Sequence, residues 1–209
     1  SLIACGVGPG DEVIVTGYTF FASCAAIVAA NAIPVICEVD ETLTMDPKDI
    51  EKKITPSTKA IIAVHMRGVP CDMDAIMAIA KKHGLKVVVD CAQAAGGTYK
   101  GKYLGTFGDC GCFSFQYHKT ITAGEGGMIL TQDETAFSNT SPCRRKSKIN
   151  MLGSDFGFVH ESSPGPGTLS ACACWISFRV LPSASFQSVR PFEGRASTTA
   201  EANEGELNV

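Results

Sequence analysis

The sequence predicts an α/β fold, a mainly parallel sheet covered by helices on both faces. Two observations predict it. First, short runs such as Ala60 to Val64 and Leu85 to Val89 are apolar almost throughout instead of alternating. Strands buried on both faces read this way. Second, helix-like stretches with start and stop signals lie between those runs. Strand and helix in alternation is the pattern of a parallel sheet. A chain of 209 residues with 45% hydrophobic side chains can bury such a core.

The elements follow in order. A Gly-Pro-Gly-Asp turn precedes Glu12 to Thr16, a short apolar strand run. Phe20 to Asn31 is Ala-rich and helix-like, and Ile33 to Val39 returns to strand character. Pro47 to Ile54 reads as a helix because Asp46 is a good N-cap and proline suits the first helical position. Ala60 to Val64 is a strand. Met73 to His83 is a helix, capped by Asp72, with Lys81 and Lys82 in its last turn and Gly84 as its stop. Leu85 to Val89 is a strand that ends in Asp90, and Cys112 to Phe115 and Met128 to Thr131 are further strand candidates.

Composition narrows the function. The net charge of -3 carries no basic stripe for nucleic acid. No apolar run approaches the ~20 residues of a membrane span. The first residues lack the charged and apolar regions of a signal peptide, so a cytoplasmic setting is expected. The chain does not begin with Met, and a missing N-terminal segment is expected. The ten cysteines show C-x-C pairs at Cys110/Cys112 and Cys172/Cys174, not paired C-x-x-C knuckles. No metal is therefore expected. Gly6 to Gly10 precedes the first strand instead of following one, which argues against a dinucleotide loop. Gly96 to Lys102 fits G-x-x-x-x-G-K, but Tyr103 stands where Ser or Thr must follow.

The organisation divides in three. Residues 1–138 form the predicted α/β domain, 139–164 an uncertain continuation, and 165–209 a tail of low expected order. No lysine follows Lys148, and the tail is rich in Ser, Pro, Gly and Ala without a helical or strand period. Such a break fits a linker or translation from a shifted reading frame, and the second is the reading preferred.

In a parallel sheet, ligands bind beyond the carboxyl ends of the strands. The residues there are Thr19 and Phe20, His65, Asp90 to Gln93, and Ser114 to Lys119. Asp90 taken alone fits a cap on the turn after it. Lys119 lies between an aromatic strand and the Gly-rich stretch Gly124 to Gly127, where backbone can approach a ligand closely. Together they suit pyridoxal phosphate (PLP). That cofactor needs a lysine for its aldehyde, a carboxylate for its pyridine nitrogen, a flat group over its ring and donors for its phosphate. Lys119, Asp90, Phe20 and Ser114 could supply these from four strand ends. His65 could face the site or be a satisfied structural histidine. His118, next to Lys119, is given no chemistry, because adjacent strand residues point to opposite faces.

At these residues the text resembles the DegT/DnrJ/EryC1/StrS family of PLP-dependent sugar aminotransferases. The matching segments include GVGPGDEVIV, YTF, ITPSTKAIIAVHMRGVPCDMDAI, VVVDCAQAAGGTYKGK, LGTFGDCGCFSF and HKTITAGEGGMI, in order, over residues 1–134. The resemblance implies a type I aminotransferase-like large domain. It makes Lys119 the Schiff-base lysine that also shuttles the proton, and Asp90 the partner of the pyridine nitrogen. It makes Gln93 the contact of the ring hydroxyl, Phe20 the aromatic stacked on the ring, and Ser114 a phosphate ligand with Thr19 near the same group. Family members carry a Gly-Thr/Ser segment upstream of where this chain starts. They also carry a C-terminal small domain, which is expected to be absent or not family-like here.

The implied activity is amino transfer from glutamate to a nucleotide-linked keto sugar by a homodimer. The rivals are an inactive fragment of such an enzyme, a PLP-dependent sugar dehydratase, and a Schiff-base lyase without PLP. Dehydratases of the family carry His where Lys119 stands. A lyase would not need Asp90 and Gln93 at their spacing.

Overall fold

A computed structural model describes residues 1–140 with their side chains, and the backbone of residues 145–150, 168–173 and 176–179. The elements run β1 (Glu12–Thr16), α1 (Ala22–Ala29), β2 (Ile33–Cys37), α2 (Pro47–Lys53), β3 (Thr58–Val64), α3 (Met73–His83) and β4 (Lys86–Asp90). They continue with β5 (Thr98–Tyr99), β6 (Lys102–Tyr103), β7 (Cys110–Ser114), β8 (Gly127–Thr131) and α4 (Glu134–Asn139). Three more strands, β9 (Arg145–Asn150), β10 (Thr168–Ala173) and β11 (Ile176–Arg179), are described by backbone only. The strand order is β2-β1-β3-β4-β7-β8-β11-β10-β9.

The expected mainly parallel sheet is present. β2, β1, β3, β4 and β7 are parallel neighbours. β8 returns antiparallel to β7. The 115–126 connection carries no helix, and without a crossover element the chain comes back on itself.

The central strands β1, β3 and β4 are buried on both faces, which is why they do not alternate apolar with polar. Ile14, Ile61, Ala63, Val87 and Val89 point into one core with Met73, Ile76 and Ala80 of α3. Val13, Val15, Ala60, Ile62 and Val88 point into the other with Ile27 of α1. The period of two along each strand divides the residues between the cores.

The helix signals act locally. The Asp46 carboxylate accepts from Lys48 N–H at 2.9 Å and caps α2. The Asp72 carboxylate accepts from Ala75 N–H at 3.2 Å and caps α3, and Gly84 ends it in the left-handed region. The helix expected from Phe20 starts at Ala22 instead, and Phe21 at its cap position gives no side-chain cap. That shift leaves Phe20 in the loop ahead of α1.

The G-x-x-x-x-G-K pattern proves to be a hairpin. Lys100 and Gly101, at φ 49° and 77°, join β5 to β6 in a two-residue turn. β10 and β11 fall inside the stretch from residue 165 expected to have low order. Most of 141–164 and the rest of 165–209, with the reading-frame expectation attached to them, lie outside the described residues. Among the described residues no helix is long and apolar enough to cross a membrane.

Candidate active site

The carboxyl ends of β1, β3, β4 and β7 lie side by side because these strands are parallel neighbours. The loops that leave them converge on one cavity of about 440 Å³. Its lining includes Thr19, Phe20, Asp90, Gln93, Ser114 and Lys119. All six sequence-predicted site residues are thus brought together by three strand ends, those of β1, β4 and β7, and β3 adds His65.

Asp90 closes β4 with both carboxylate oxygens held. Oδ1 accepts from Ala92 N–H at 3.0 Å, and Oδ2 accepts from the Ser23 hydroxyl at 2.9 Å. The turn cap and the cavity carboxylate are therefore one residue using two oxygens.

Gln93 follows in the same loop. Its Oε1 accepts from Arg67 N–H at 2.9 Å, so its side-chain NH₂ remains to donate. Arg67 reaches that position in the left-handed region, at φ 53°. The neighbouring peptide bond between the strands is also fixed: His65 N–H donates to Asp90 O at 3.1 Å.

Lys119 sits in a tight turn. Its N–H donates to Gln116 O at 2.9 Å, and His118 N–H donates to Gln116 Oε1 at 3.0 Å. The Lys119 Nζ lies 5.8 Å from the centre of the Phe20 ring. That is within the range at which a cation is attracted to a ring face. Phe20 itself is 55% exposed, an apolar surface presented to the cavity mouth. The Ser114 hydroxyl oxygen accepts from Gln116 N–H at 3.4 Å, which engages its oxygen and not its proton.

The Gly-rich stretch behind the lysine is a backbone clasp. Phe115 N–H donates to Gly126 O at 2.8 Å, and Ala123 N–H donates to Phe115 O at 2.9 Å. These bonds close the loop that carries Lys119 onto the end of β7.

Two histidines line the same cavity. His65 is fully buried, and its Nδ1 accepts from Cys71 N–H at 3.1 Å. Burial pushes its pKa down to about 4. Its Nε2 therefore carries the proton of the neutral ring, and it has no hydrogen-bond partner among the described residues. His118 corrects the sequence reading. Residues 116–120 form a turn and not a strand, so strict alternation does not apply, and His118 reaches the cavity beside Lys119. Ser23 was not foreseen, and Gln116 was included only within the Ser114 to Lys119 stretch, with no role of its own. Thr19 precedes α1, so no helical spacing links it to Ser23, and the sequence held no local signal for the pair. Gln116 gave none.

No group of three or more His, Cys, Asp or Glu side chains among the described residues could hold a metal ion.

The model of the DegT/DnrJ/EryC1/StrS aminotransferase family matches residues 1–161. A GDP-perosamine synthase of Escherichia coli O157:H7 is 52% identical over 138 residues, 66% of this chain and 38% of that protein. An L-glutamine:2-deoxy-scyllo-inosose aminotransferase of Streptoalloteichus tenebrarius is 41% identical over 170 residues, 81% of this chain and 38% of that protein. The solved structure of NtdA from Bacillus subtilis with bound cofactor PMP is similar, with a TM-score of 0.60 and 38% identity. That similarity covers 65% of this chain and 31% of NtdA. The chain spans 38% of the length of the two curated relatives.

Proposed function

The chain belongs to the DegT/DnrJ/EryC1/StrS aminotransferase family, and from that membership we propose that residues 1–138 are the PLP-binding large domain of an enzyme that aminates a nucleotide-linked keto sugar. The single observation that carries this is the shared cavity of Lys119, Asp90, Gln93, Phe20, Ser114 and Thr19.

The residues fit the cofactor chemically. The cavity offers an amine, an anchored carboxylate, an amide with donors to spare, a hydroxyl and an exposed ring. It also holds the unpartnered Nε2–H of His65, a buried donor that a polar ligand would satisfy. PLP, when bound, supplies an electron sink for the bond-breaking step.

This chain's residues do the rest. Lys119 Nζ is the amine that would hold the cofactor through its aldehyde, and it would also serve as the group that carries the proton. Asp90 would pair with the pyridine nitrogen and keep it protonated. Its carboxylate is held by Ala92 and Ser23, so it need not reorganise during the reaction. Phe20 would stack on the ring, the Gln93 NH₂ would donate to the ring oxygen, and Ser114 would hold the phosphate with Thr19 near the same group.

Glutamate is the proposed amino donor, and the resemblance supports it. The Streptoalloteichus relative is named for glutamine, which makes that amide the first comparison donor. A homodimer belongs to the same proposal and rests on the resemblance alone, and a cytoplasmic setting is proposed with it.

The test is a PLP titration of the purified chain with Lys119→Ala as control. The expected result is a visible absorption band that borohydride bleaches and the variant lacks. A chain that forms no such band, alone or joined to the remainder of its domain, refutes the reading.

A further inference from the structure

We propose that Ser23 is a positioning residue for the site: its hydroxyl locks the Asp90 carboxylate in the orientation that meets the ligand. The cofactor part of this inference rests on the function proposed above.

The direction of the bonds follows from counting protons. An ionised carboxylate only accepts, so at 2.9 Å the Ser23 hydroxyl donates its one proton to Asp90 Oδ2. The Ser23 oxygen then accepts from the Thr19 hydroxyl at 2.8 Å, a closer acceptor for that proton than Phe20 O at 3.3 Å. The result is a directed chain from Thr19 through Ser23 to Asp90. It joins the loop after β1, the first turn of α1 and the end of β4. Those are three separate elements of the cavity wall.

Ser23 is well placed to hold a fixed geometry. It is 6% exposed, and Ile27 one turn later is fully buried in the core under α1. The helix is thus pinned, and Ser23 with it. Asp90 is held on its second oxygen by Ala92 N–H at 3.0 Å, from its own loop. A carboxylate gripped at both oxygens from different elements does not rotate about its last torsion. Without Ser23, only the local turn bond remains, and the carboxylate swings within the cavity.

Two measurements decide it, on the full chain as wild type, Ser23→Ala and Ser23→Thr. The first needs no cofactor: amide exchange at Ala92, with Val88 in the buried middle of β4 as reference. In Ser23→Ala, exchange at Ala92 rises about tenfold, the scale of one hydrogen bond to a charged group. Val88 stays unchanged, and Ser23→Thr behaves as wild type. An equal rise at Ala92 and Val88 marks a general loosening of the fold and overturns the inference, as does no rise at Ala92.

The second is PLP affinity by absorbance. Ser23→Ala weakens binding about tenfold and Ser23→Thr restores it, again one such bond. Equal affinity in all three forms overturns the link from Ser23 to the ligand. A wild-type chain that takes up no PLP refutes the functional reading instead, and the exchange measurement then decides on Ser23 by itself.

Discussion

His65 shows how one side chain can serve packing and site together. Its Nδ1 is spent on Cys71 N–H, and its Nε2–H is left at the cavity wall. Burial holds the ring neutral, with a pKa of about 4 against the ordinary 6.5. The folded state thus takes up a proton less readily than the unfolded chain. The stability this represents is complete above about pH 6.5 and is lost as pH falls toward about 4. The whole window is worth about 3 kcal/mol. Urea unfolding between about pH 7 and about pH 5 should therefore show stability falling with acidity. His65→Asn keeps an acceptor for Cys71 N–H and does not titrate, so its curve should be flatter by this contribution. Equal slopes would show that His65 is protonated in the fold. The sequence put His65 at a strand end and left its two roles open, because the spacing does not say which nitrogen is occupied. Asp90 is a second such case: the sequence read its turn role and its site role as alternatives, and the structure divides them between two oxygens.

At the scale of elements, α3 is the most legible. Met73, Ile76 and Ala80 recur at helical spacing and all three are buried. Asp72 starts the helix, and Gly84 stops it at φ 67°. What the sequence did not disclose is a second task for the cap. Asp72 Oδ1 also accepts from the Tyr99 hydroxyl at 2.9 Å, tying α3 to the β5–β6 hairpin. Asp72→Ala should cost about 1–2 kcal/mol in urea unfolding, because it removes the cap and this cross-link together. Asp72→Ser should recover the cap's share. If Ser recovers nothing, the cap is not what the aspartate contributes. The start of α1 was harder to read, since its cap position is Phe21 and gives no signal. The β5–β6 hairpin hid inside a chance phosphate-loop pattern, although Lys100-Gly101 is a turn pair once the strands are known.

At the scale of the whole molecule, the segment before β7 decides how the sheet closes. A side-chain carbon on Gly111 would lie 2.1 Å from Gly105 O and 2.5 Å from Gly105 Cα. Backbone cannot yield as a flexible side chain can. Gly111→Ala should therefore destabilise the fold by about 3 kcal/mol, with a lower urea midpoint. Gly8→Ala, which would meet nothing within 4 Å, should leave the midpoint in place. A Gly111→Ala chain as stable as wild type would mean that β7 and the 105 turn are farther apart than described. The LGTFGDCGCFSF segment was recognisable as text, yet its reason is this contact between residues six apart.

The sequence by itself determined the strand and helix alternation, the caps of α2 and α3, and the six residues expected at the strand ends. These depend on local chemistry: apolar runs, an acceptor ahead of a helix, a glycine after one. Resemblance then attached roles to the six residues. Only the tertiary structure decided the antiparallel return of β8, the reach of His118 into the cavity, and the grip of Ser23 on Asp90. Each of these depends on which segments lie side by side in space. Ser23 and Asp90 are 67 positions apart, and no local pattern encodes the 2.9 Å between them.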